Sequence, residues 1–146
     1  MVYAALYASR PIQPMSEEDL AEILAVSRRK NAERGITGRL VYAATEGEVG
    51  LFAQWIEGED WRVRELLYFS ILCDARHAFV GRPFEGPIER RQFPSWTMEF
   101  ERLGSEEIVS AEIDSLVARA HTIRPQAKRK MRMSPEATRR RHAPTG

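Results

Sequence analysis

Only one cysteine, Cys73, occurs in the 146 residues. A lone thiol closes no intramolecular disulfide and makes a poor metal site, so disulfide scaffolds and zinc modules are excluded and no metal is expected. Cys73 is expected as a small buried hydrophobe. Long apolar runs are missing too: nothing approaches the ~20 consecutive apolar residues of a membrane span. The first residues lack the charged lead-in, apolar run and cleavage site of an export signal, so residence in the cytoplasm is the expectation. Net charge is scarce at +1, yet Arg124 to Gly146 holds eight Lys or Arg against the single Glu136. The body is therefore acidic and the tail basic. There is no internal repeat. With a hydrophobic fraction of 43%, the chain suffices for one ordinary core but not for two comfortable domains.

Residues Val2 to Ser9 alternate, Tyr3, Ala5 and Tyr7 on one side and Val2, Ala4 and Leu6 on the other, which predicts a first strand ended by Pro11 and Pro14. Ser16 followed by Asp19 and Leu20 has the pattern of a capping box, and Gly35 supplies the stop of a first helix. A second strand is expected at Ile36–Tyr42, a glycine-containing hairpin loop at Ala43–Gly50 and a third strand at Leu51–Glu57. Asp60 is a candidate cap for a second helix whose apolar face is Val63, Leu66, Leu67, Ser70 and Ile71, ending near Asp74. Ala78–Phe84 predicts a fourth strand. Pro87 and Pro94 bracket an irregular link to a short fifth strand, Trp96–Phe100.

This order, β-α-β-β-α-β with an added strand, is the split βαβ or ferredoxin-like arrangement, an α+β fold with a five-stranded sheet and both helices on one face. Ile108, Val109, Ile113, Leu116 and Val117 recur at helical spacing, so Ser105 to about Ala120 predicts a third helix, covering the other face. The expected organisation is a domain over 1–104, a C-terminal helical segment over 105–123 and a basic, disordered tail over 124–146, whose apolar content is too small to offset its ordering entropy.

Two misfits point to function. On the first helix the apolar stripe Leu20, Ile23, Leu24 continues into Ser27 and Asn31, and a buried amide without a partner costs about 1–3 kcal/mol. On the third strand Gln54 lies between Phe52 and Ile56 on one face. With strands one and three paired, Tyr7 and Gln54 meet beneath the groove that holds Ser27 and Asn31, and a phenol and two carboxamides converge on one planar polar ligand. Each residue also has a plainer use. Asn31 can cap helix carbonyls, Gln54 faces solvent if the register slips by one, Tyr7 and Trp96 serve as core aromatics, and Arg76 and His77 as solvated loop residues.

The stretches Leu6-Tyr7-Ala8-Ser9, Ser27-Arg28-Arg29-Lys30-Asn31, Gly35-Ile36-Thr37-Gly38, Gln54-Trp55-Ile56-Glu57-Gly58, Asp74-Ala75-Arg76-His77 and Arg91-Gln92-Phe93-Pro94-Ser95-Trp96-Thr97-Met98 together resemble the BLUF family of blue-light sensors that bind flavin. They run in the family's order over residues 1 to about 100. The resemblance implies a non-covalently held FAD between the two helices, with FMN or riboflavin as alternatives. It implies that Tyr7 donates an electron and a proton to the photoexcited flavin and that Gln54 bridges Tyr7 and the ring. Asn31 would fix the ring's polar edge with Ser27 beside it, Ile23 and Ile71 would wall it, and Arg76 and His77 would be further contacts. Trp96 and Met98 match the strand whose packing reports the light state. The hairpin at Ala43–Gly50 is longer than the family's usual turn, and Ala53 stands where a larger residue is common.

The resemblance further implies a photosensory flavoprotein rather than an enzyme, with a red-shifted signalling state passed to a partner protein or to a change in self-association. A photochemically silent flavin-binding scaffold and a ferredoxin-like small-molecule enzyme are the alternatives. The latter lacks a nucleophile or acid/base pair of convincing spacing in the groove. Lys128, Arg129, Lys130, Arg132 and Arg139 to Arg141 suit contact with nucleic acid that, without interleaved aromatics, is non-specific and salt-sensitive; a solvated tail is the favoured reading.

Overall fold

The computed structural model describes residues 2–44, 48–71 and 76–124. Cys73, the expected helix end near Asp74 and the tail beyond Arg124 lie outside the described residues. Five strands form one sheet: β1 (Val2–Pro11), β2 (Thr37–Ala43), β3 (Leu51–Gly58), β4 (His77–Ile88) and β5 (Glu99–Arg102), ordered β4-β1-β3-β2-β5. β1 lies antiparallel to β3 with Tyr7 opposite Gln54, β2 lies antiparallel to β3, and β5 runs parallel to β2. The first four strands thus take the ferredoxin-like order, with β5 added at one edge.

β1 continues two residues past Ser9, where it pairs only with β4 (Arg10 opposite Ala78, Pro11 opposite His77). Pro11 therefore costs no ladder bond on the β3 side. β4 is longer than its expected Ala78–Phe84. It shifts register between partners Leu6 and Ala8 and again between Ala8 and Ser9, so Arg82 and Pro83 fall opposite Tyr7 and Val80 is the extra residue between the partners of Ala8 and Ser9. An edge strand with a bulge accommodates Pro83 and Pro87, which a central strand would not.

Helix α1 (Glu17–Arg34) begins at the expected capping box: Ser16 Oγ accepts from the Asp19 amide and Asp19 Oδ2 from the Ser16 amide, each at 3.0 Å. It ends at Gly35, whose φ of 67° is the left-handed conformation that suits glycine. Helix α2 (Asp60–Glu65) differs from expectation at its start. Its cap position is Glu59, which makes no side-chain cap bond, while Asp60 stands inside the first turn paired to Arg64 at 2.7 Å. The helix then widens into a π-helical turn, Leu66–Ile71. Val63, Leu66 and Leu67 are buried as expected, while Ser70 is exposed.

The cavity-side core joins Tyr3, Ala5, Phe52 and Ile56 of the sheet to Leu20 of α1 and to Val63, Leu66 and Leu67. Helix α3 (Glu106–Thr122), capped by Ser105, covers the opposite face. There Leu116, Ala120 and Ile123 pack on Leu6, Trp55 and Phe84, and Val109 lies against Ala8, Val41 and Ala53. Alanines on three adjacent strands let this helix approach closely. Arg124, the first residue of the expected tail, packs over the Phe84 ring at 5.4 Å.

Candidate functional site

Helix α1 contributes few apolar side chains to the sheet, since Leu20 and Asn31 are its only buried residues. The space this leaves between α1, the α2 turn and the sheet is a cavity of about 590 Å³, within the ~300–1,000 Å³ typical of small-molecule sites. Tyr7 and Gln54 form its floor. Ile23, Ser27 and Asn31 line one wall and Ile71, Arg76 and His77 the other. Every side chain expected to contact a flavin therefore meets in one place.

Strand alternation brings the floor residues together: Tyr7 and Gln54 stand opposite on β1 and β3 and point to the helix side. The Tyr7 hydroxyl donates to Gln54 Oε1. At the other end of the amide, Gln54 Nε2 donates to Met98 Sδ at 3.4 Å. Tyr7 and Gln54 are each 7% exposed and Asn31 2%, so these polar groups are withdrawn from bulk water. Asn31 Nδ2 donates to the Thr97 carbonyl at 2.8 Å, and Arg28 Nε to the Met98 carbonyl at 3.0 Å. His77 makes an edge contact with Phe52, ring centroids 5.5 Å apart.

The expected strand Trp96–Phe100 is corrected. β5 starts only at Glu99, so Trp96, Thr97 and Met98 form an irregular approach to it. Its carbonyls are engaged by neighbours outside the sheet ladder: Gly38 N–H donates to Trp96 O, and α1 side chains hold Thr97 and Met98. Trp96 is 49% exposed whereas Met98 is fully buried under Gln54. The two residues proposed as reporters thus sit in opposite environments.

Lys30 and Arg34 also line the cavity and escaped the sequence reading. They were legible in principle, because 23, 27, 30, 31 and 34 follow one helix face. The Thr97 and Met98 carbonyls carried no such signal, since backbone groups become partners only through tertiary placement. Among the described residues no group of His, Cys, Asp or Glu is arranged to hold a metal ion, and no helix is long and apolar enough to cross a membrane.

Residues 2–99 match the family described as sensors of blue-light using FAD. The chain belongs to the BLUF family. A photoactivated adenylate cyclase subunit beta of Euglena longa is 39% identical over 94 residues, 63% of this chain and 10% of that protein, and its Euglena gracilis counterpart is 38% identical over 93 residues. The chain thus spans about a tenth of the length of these curated relatives. Among solved structures, a bacterial light-regulated adenylyl cyclase is 30% identical with a TM-score of 0.61, over 84% of this chain and 35% of its own. The BLUF protein BlrB in its dark state is 27% identical with a TM-score of 0.61, over 81% of this chain and 96% of its own. The cavity suits the flavin that this BLUF family uses: mainly apolar walls for a flat ring, and a phenol and two amides, able to donate and accept, for its polar edge.

Proposed function

We propose that this chain is a blue-light photoreceptor that holds FAD non-covalently in the cavity between α1 and α2 and converts light into a rearrangement of hydrogen bonds around Gln54. The observation that carries this reading is the relay Tyr7–Gln54–Met98, in which one amide on the cavity floor accepts from a phenol and donates to a buried thioether beneath it. When bound, the flavin supplies light absorption and, once excited, the electron vacancy that draws on a nearby donor.

Tyr7 would pass an electron and its phenolic proton together to a flavin held there and would recover both as the pair recombines, because a buried phenol radical cation left charged would be strongly disfavoured. That proton has a path, since the hydroxyl already points at Gln54 Oε1. Gln54 is suited to switching because its two ends differ in hydrogen-bond sense, so turning or tautomerising the amide changes which neighbours receive an N–H. Its present donor contact, to sulfur, is a weak one, and exchanging it for an oxygen acceptor on the ring is favourable. A flavin held here would supply the absorption that red-shifts when Gln54 donates to it more strongly. Asn31 and Ser27 orient the ring, Ile23 and Ile71 wall it, and Arg76 and His77 complete the far side. Phosphate-bearing FMN and phosphate-free riboflavin share the same ring and remain competent ligands.

The signal leaves through Met98 and Trp96 to β5 and α3 and is read by a separate effector protein or by a change in self-association. Its likeness to light-regulated cyclases supports an effector as the output. Photosensing belongs to residues 1–104, and 105–123 act as the relay helix. The test is the absorption spectrum of the purified flavin-loaded chain before and after blue light. A reversible red shift is expected in the native chain and none in Tyr7→Phe; a normal shift in that variant removes Tyr7 from the mechanism.

A further inference from the structure

Among the described residues, Glu57 is the one buried acidic side chain, with no exposed surface. It lies on β3 three residues after Gln54, on the opposite face, towards α3. Four donors converge on its carboxylate: Trp55 Nε1 and the Gln92 amide on Oε1, both at 2.7 Å, and the Thr37 hydroxyl and the Phe93 amide on Oε2, both at 2.8 Å. Arg91 backs this arrangement. Its guanidinium donates to Thr37 Oγ1 and to the Gly35 carbonyl, each at 2.9 Å, which turns the Thr37 proton towards Glu57.

A buried carboxylate is a costly way to join a loop to a sheet, since apolar packing of the same volume is commonly as stable. What the carboxylate provides is position: two consecutive backbone amides, of Gln92 and Phe93, are held at fixed points on β3. Five residues later the same segment delivers Met98 to Gln54, and β5 takes over at Glu99. Residues Trp96 to Met98 are thus suspended between a fixed upstream point at Glu57 and a fixed downstream strand.

We propose that Glu57 is a positioning residue for the light response: by pinning Gln92 and Phe93 to β3 it sets the contact between Met98 and Gln54 in darkness and the barrier to re-forming it. The inference rests on the photosensor reading above. Glu57→Gln replaces one acceptor oxygen with an NH2 group, so at least one of the two loop amides loses its partner. Thr37→Val removes one donor and leaves the carboxylate and both amides paired.

The experiment measures dark recovery of the light-induced absorption shift, with thermal melting, for the flavin-loaded native chain and both variants. Recovery is expected to accelerate by at least about fivefold in Glu57→Gln, the effect of about 1 kcal/mol on a barrier, and by less in Thr37→Val. A merely structural role lowers the melting temperature and leaves recovery unchanged, and that result overturns the proposal. If Glu57→Gln does not fold, Thr37→Val decides: faster recovery supports the positioning role, and the native rate overturns it. A native chain that shows no shift overturns the photosensor reading and this inference together, whereas native switching with unaltered variants overturns this inference alone.

Discussion

The chemistry proposed for this chain is concentrated in very few side chains, and Gln54 is the pivot because it alone touches both the phenol and the thioether. Gln54→Leu keeps the volume and removes both ends of the amide; it is expected to bind flavin and show no light-induced shift in a difference spectrum. Asn31→Ala leaves the half-buried Thr97 carbonyl without its donor and is expected to cost about 0.5–1.5 kcal/mol in urea unfolding. Away from the cavity, burial and the adjacent Glu85 carboxylate, which accepts from its hydroxyl, push the Tyr3 phenol from its ordinary 10.0 up to about 12. The folded state thus favours the neutral phenol. Its contribution to stability is complete below pH 10 and is lost as pH rises towards about 12. Denaturant midpoints followed through that window are expected to fall, and to fall less steeply in Tyr3→Phe. The misfits at Asn31 and Gln54 were legible in the sequence because a polar residue on an apolar stripe demands a partner. Glu57 was not, since its four donors come from β2, β3 and a loop more than thirty residues away.

At the scale of elements, periodicity and capping located three helices and five strands, and the differences have local physical causes. Trp96–Phe100 alternates like a strand, but the carbonyls of Trp96, Thr97 and Met98 are taken by Gly38, Asn31 and Arg28, so ladder pairing waits until Glu99. The π-helical turn over Leu66–Ile71 is invisible to a 3.6-residue template. β4 outran its expected end because a bulge absorbs Pro83 and its place at the sheet edge tolerates Pro87, which stands in register opposite Tyr3. Helix α3 is bound to the sheet by packing and by charge. Leu116 is 1% exposed, and Leu116→Ala is expected to cost about 2–5 kcal/mol in chemical unfolding. Arg39 on β2 joins Glu99 and Glu101 of β5 to Glu112 of α3. Burial disfavours its charge, yet hydrogen bonds to those carboxylates outweigh that and raise its pKa above the ordinary value. Arg39→Gln leaves three carboxylates facing one another; a lower melting temperature that partly recovers with added salt is the expected outcome.

For the molecule as a whole, the sheet separates two tasks. Its α1/α2 face encloses the cavity, while its other face is covered by α3. This division was legible from the order of elements and from the alternation of β1 and β3. The cavity itself was not, because it arises from what α1 fails to fill. A ligand that occupies it stabilises the fold by mass action, about 2.7 kcal/mol at a hundredfold excess over its dissociation constant. Stripping the flavin is therefore expected to lower the melting temperature, and re-addition to restore it. The central claim is that light re-routes the hydrogen bonds of a buried amide. The most direct test is the light-minus-dark absorption difference of the flavin-loaded chain, followed through recovery in darkness. A reversible red shift that vanishes in Gln54→Leu is predicted; a bound flavin whose spectrum illumination leaves unchanged, or a shift that survives in that variant, contradicts it.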